Sequence, residues 1–136
     1  MQLEKEEIVR ILFIEPDKKS HDILVGLLKD WFQDYVEIVW RSIYENGITE
    51  LKKGNFDLII SDIKMPEMDG VEALKKIRAH LILNNRKLIP EIIITGYAKE
   101  KIYQDALALK AAAYIEKPFD MQPLLEAISN LIGICR

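Results

Sequence analysis

Cysteine is almost absent from this chain: among 136 residues only Cys135 carries a thiol. One thiol makes neither an intramolecular disulfide nor a cysteine-rich zinc site, so the fold must rest on its apolar core. No apolar run approaches the ~18 residues of a bilayer-spanning helix. The opening segment, Met1-Gln2-Leu3-Glu4-Lys5-Glu6-Glu7, lacks the apolar centre of a secretory signal and reads as a lead-in over residues 1–7. Neither sign of charge dominates: 19 Lys and Arg oppose 22 Asp and Glu, for a net charge of -3. That balance leaves no electrostatic footprint for direct nucleic-acid or membrane binding. His21 and His80 lie far apart without metal-ligand spacing, and both are expected at the surface. Also missing are the G-x-x-x-x-G-K-[ST] loop of nucleotide hydrolases and a glycine-rich dinucleotide turn. A conventional enzyme on a nucleotide-binding sheet is therefore disfavoured.

What is present suits a cytoplasmic globular chain, 49% hydrophobic and 30% charged. Its length suits one domain over residues 1–136. Short β-branched runs alternate with stretches of helical period. Residues 8–14 form a near-continuous apolar run, as in a strand buried on both faces. A helix follows, with Ile23, Leu24, Leu27, Leu28, Trp31 and Phe32 on one stripe. Further strands are predicted at 36–40, 57–61, 91–95 and 112–116. Helices are predicted at about 43–53, from Val71, at 98–110 and at 121–132. The order is (βα)5, which implies an α/β doubly wound fold with a five-stranded parallel sheet.

In such sheets, sites form beyond the carboxyl ends of the strands. The residues there are Glu15 and Asp17 after the first strand, Asp62 after the third, Thr95 after the fourth and Lys117 after the fifth. A carboxylate can attack phosphorus, and phosphoryl transfer needs positioning and charge neutralisation more than proton chemistry. Asp62 suits the nucleophile, Lys117 a neutralising cation, Thr95 a hydroxyl donor and Glu15 a magnesium ligand. Taken singly, each has a plainer reading: Asp62 as a loop cap, Lys117 as a surface lysine, Thr95 as a partner for backbone groups. Asp17 reads equally well as a metal ligand or as the cap of the first helix.

The segment Asp62-Ile63-Lys64-Met65-Pro66-Glu67-Met68-Asp69-Gly70 closely resembles the phosphoacceptor segment of two-component response-regulator receiver domains. Ile92-Ile93-Ile94-Thr95-Gly96 resembles their strand ending in a switch hydroxyl. Tyr114-Ile115-Glu116-Lys117-Pro118-Phe119 resembles their aromatic-x-x-Lys-Pro-Phe segment. The resemblance implies a flavodoxin-like receiver fold. It implies that Asp62 takes a phosphoryl group from a histidine kinase or phosphotransfer protein, with only autocatalytic uptake and slow hydrolysis as chemistry. By the same resemblance, Lys117 contacts the phosphorylated aspartate and its bond to Pro118 is cis. Thr95 and Tyr114 switch, and the backbone carbonyl of Lys64 joins Glu15 and Asp62 around Mg2+. The output would pass to a downstream protein or tethered output domain through the fourth helix, fifth strand and fifth helix, a face that receivers also use to form homodimers.

One position departs from the family. Its second acidic residue after the first strand is here Pro16, with Asp17 one place later. Side chains alternate along an extended chain, so Asp17 need not point where the missing carboxylate would. Weaker magnesium binding is expected, and the alternative function is a phosphate-independent interaction module of receiver fold.

Overall fold

The computed structural model describes residues 8–63, 68–95, 101–116 and 121–133. Its strands are β1 (Val9–Ile14), β2 (Val36–Arg41), β3 (Leu58–Asp62), β4 (Glu91–Thr95) and β5 (Ala113–Glu116). Its helices are α1 (Lys18–Phe32), α2 (Tyr44–Lys53), α3 (Gly70–Leu83), α4 (Lys101–Ala108) and α5 (Met121–Ile132), with one 3-10 turn at Gln33–Tyr35. All neighbouring strands pair in parallel, in the order β2-β1-β3-β4-β5. The predicted doubly wound α/β fold is the one observed.

The chemistry of β1 shows why both faces are covered. Successive side chains leave a strand on opposite sides. Ile11 and Phe13 enter a core with Leu24, Leu28 and Phe32 of α1 and Leu124, Leu125 and Ile128 of α5. Leu12 and Ile14 enter a second core with Leu51 of α2, Leu74, Ile77 and Leu81 of α3, and Ala106 of α4. A strand with consecutive apolar residues, as over 11–14, is thus stable only between two helical layers.

Two expectations require correction. Ile23, placed on the apolar stripe of the first helix, is 53% exposed. It lies at the stripe's edge, where helix periodicity alone does not separate core from flank. The fourth helix, predicted over 98–110, spans Lys101–Ala108 among the described residues, and Leu109-Lys110 turn out of it.

Candidate functional site

Asp62 is the last residue of β3 and only 5% exposed. The start of α3 lies against this strand end. Asp69 is the N-cap of α3, and its carboxylate accepts from the Glu72 amide at 2.8 Å. The next residue, Gly70, donates its N–H to the Ile63 carbonyl. A β-carbon on Gly70 would overlap the Asp62 carbonyl and the Ile63 Cα. The Asp69-Gly70 pair therefore has a mechanical meaning: one residue starts the helix, and the other lets it start against the strand end that carries Asp62. The Ile63 amide is held in turn by the Ile94 carbonyl of β4 at 3.1 Å.

Glu15 leaves β1 one residue beyond the rung Ile14–Ser61, level with Asp62 on the adjacent strand. It is fully buried. Its amide donates to the Arg41 carbonyl at 3.0 Å, and its carbonyl accepts from the Trp40 indole at 2.9 Å. Its Oε2 accepts from the Asp17 amide at 3.1 Å. Arg41 is tied by its side chain to Glu50 at 2.8 Å, and that guanidinium holds the Glu50 carboxyl below the usual carboxylate range. Asp17 is exposed and caps α1: its Oδ2 accepts from the Ser20 amide at 3.1 Å and the Ser20 hydroxyl at 2.9 Å. The capping role, one of the two read from sequence, is thus present.

Thr95 ends β4 beside Glu116 of β5, so its backbone reaches the same edge as Asp62. The Thr95 side chain, Lys64, the Lys117–Pro118 bond, Cys135 and the lead-in over 1–7 lie outside the described residues. Tyr114 is half-buried on β5. Its hydroxyl donates to the Ala106 carbonyl and accepts from the Ala111 amide, both at 2.9 Å. It thereby ties β5 to the end of α4, where the Ala106 carbonyl also accepts from the Leu109 amide at 3.0 Å.

The carboxylates carried at this edge by adjacent strands, Glu15 and Asp62, are both buried and present hard oxygens. They suit magnesium, which takes oxygen ligands and retains water. Among the described residues no three His, Cys, Asp or Glu side chains group around one point, and Pro16 separates Glu15 from Asp17 in the loop after β1.

Sequence reasoning missed two features. His21, expected at the surface, stacks on Trp40 with ring centroids 4.0 Å apart, and its side chain is 19% exposed. Their contact joins α1 to β2, a pairing that sequence spacing does not encode. Arg78 of α3 grips the 4%-exposed carboxylate of Glu91 through Nε at 3.0 Å and Nη2 at 2.5 Å. This bidentate pair lies at the start of β4, away from the carboxyl edge.

A sequence model for the response regulator receiver domain matches residues 11–129. Transcriptional regulatory protein ZraR of Klebsiella oxytoca is 32% identical over 133 residues, covering 96% of this chain and 28% of that protein. The chain thus spans little more than a quarter of that regulator's length. Chemotaxis protein CheY-3 of Vibrio cholerae is 32% identical over 127 residues, covering 90% of this chain and 91% of CheY-3. Among solved structures, a chain from the Saccharomyces cerevisiae complex of histidine phosphotransfer protein Ypd1 with the receiver domain of Ssk1 aligns with a TM-score of 0.79 at 20% identity. It covers 92% of this chain and 89% of its own length, a likeness of fold.

Proposed function

This chain belongs to the response regulator receiver domain family, and from that premise we propose that it is a phosphorylation switch whose acceptor is Asp62. The observation that carries the reading is the pair of buried carboxylates, Asp62 and Glu15, leaving adjacent parallel strands at one level. The donor would be a histidine kinase or phosphotransfer protein, and a receiver of the same fold has been solved with such a protein.

An Asp62 carboxylate oxygen attacks the phosphorus of a phosphohistidine. The new P–O bond gives an acyl phosphate as the P–N bond breaks, and the electron pair returns to the imidazole. Burial raises the weight of every charge near the reacting oxygen. Glu15 and Asp62, with the Lys64 carbonyl and water, are the groups that would hold magnesium; bound there, it would neutralise charge on the phosphoryl oxygens. Asp17 is a weaker candidate ligand, since its carboxylate already caps α1. With Pro16 in the loop, magnesium affinity is expected to fall below that of receivers carrying the acidic pair. Lys117 would balance the remaining negative charge, and Thr95 would donate its hydroxyl to a phosphoryl oxygen.

The output is a change in the α4-β5-α5 face, where Tyr114 already joins β5 to the end of α4. A downstream protein, a tethered output domain or a second copy would read that face. The reading places residues 1–136 together as one cytoplasmic receiver unit.

The test is phosphoryl uptake from an acyl phosphate donor with magnesium, followed by intact-mass measurement. One added phosphoryl group, absent from Asp62→Asn, supports the reading. A chain that stays unmodified at saturating donor and magnesium, yet remains folded, leaves the phosphate-independent module in its place.

A further inference from the structure

Pro16 has no backbone N–H to give to the loop that follows β1. The loop still has to hold Glu15 against the site, and the necessary contacts come from β2. Arg41 accepts from the Glu15 amide with its main chain, while Trp40 donates to the Glu15 carbonyl with its side chain. The indole is itself held in place. His21 lies over it at 4.0 Å, with ring planes 28° apart, and Nδ1 of His21 is held by the Asp22 carboxylate at 2.8 Å. Phe13 of β1 lies on from His21, with ring centroids 6.4 Å apart. Both main-chain polar groups of Glu15 are thereby fixed by the end of one strand, through an indole whose orientation α1 sets.

We infer that Trp40 is a positioning residue for the aspartate site, its indole N–H holding Glu15 in the place from which its carboxylate serves magnesium binding. Trp40 touches neither the phosphoryl group nor the metal; it acts through Glu15. This inference rests on the phospho-switch reading and adds a residue to it.

The experiment compares the wild-type chain with Trp40→Phe, which keeps an aromatic ring under His21 but loses the donor. Magnesium binding is followed by calorimetry and by the amide resonance of Glu15, and stability without magnesium is measured by urea denaturation. Loss of one ordinary hydrogen bond predicts a roughly fivefold weaker magnesium affinity. Stability without magnesium should fall modestly as well, since the Glu15 carbonyl loses its donor there too, and affinity is read on the folded chain. Equal affinity in a folded Trp40→Phe overturns the positioning role while leaving the phospho-switch reading intact. A wild-type chain that binds no magnesium removes both, and the wild-type titration alone shows which has failed.

The wild-type indole gives a second readout if the variant does not fold. The Trp40 N–H resonance should move with the same magnesium midpoint as the Asp62 amide. An indole signal that stays fixed through that titration contradicts the inference.

Discussion

At Gly70 the first turn of α3 passes so close to β3 that one added methyl group meets the main chain of Asp62 and Ile63. Backbone cannot rotate aside as a flexible side chain does. Gly70→Ala is therefore expected to cost about 1–3 kcal/mol in urea denaturation. It should also lower phosphoryl uptake by Asp62, because relief of the overlap moves the strand end. Charge acts at the same scale in Arg41 and Glu50. The Arg41 hydrogen bond lowers the folded-state pKa of Glu50, so its stabilisation is present above the unfolded value and disappears as pH falls through the folded one. Glu50→Gln should be less stable than wild type at neutral pH. The gap should narrow on acidification below roughly pH 4.3, the ordinary Glu value. A gap that instead widens with acid contradicts the assignment.

The ends of the helices and strands carry the next set of costs. Gln33 terminates α1 at φ 54°, a conformation that favours glycine, while its N–H still reaches the Lys29 carbonyl. Gln33→Gly should thus stabilise the chain by about 1 kcal/mol, read as a raised urea midpoint. Between α3 and β4, Arg78 neutralises the buried Glu91, and that carboxylate keeps Arg78 protonated to a still higher pH than usual. Arg78→Met leaves Glu91 buried without its cation, and the expected loss is about 3 kcal/mol. A loss near zero in the same denaturation measurement would show that solvent reaches Glu91 more freely than its burial indicates. Neither effect is written in local sequence: Gln33 has no feature that marks a positive φ, and Arg78 and Glu91 meet only after α3 packs on the sheet.

Across the whole molecule, the architecture was legible where composition forces it. The apolar run over residues 11–14 of β1 needs cover on both faces, and alternating strand and helix periods need a parallel sheet. Asp62 and Glu15 were legible because strand ends in such a sheet converge on one rim. Sequence does not separate cap from ligand at Asp17, because it gives the residue's distance from Glu15 along the chain, not its direction. The Trp40 clamp escaped notice because β2 reaches Glu15 across the sheet, 25 residues away in sequence. His21 was misplaced for the same reason: a histidine on an exposed-looking helix becomes an inner layer once a neighbouring strand presents an aromatic face. Two buried carboxylates, with Pro16 in the loop between Glu15 and Asp17, are proposed to support a working phosphoryl switch at Asp62. The most direct test adds magnesium and beryllofluoride, a phosphoryl mimic, to the isotope-labelled chain and follows its amide resonances by NMR. The account predicts shifts at Glu15, Thr95, Tyr114 and Lys117 that require both additives and vanish in Asp62→Asn. Unchanged resonances at saturating concentrations of both, in a folded chain, would contradict it.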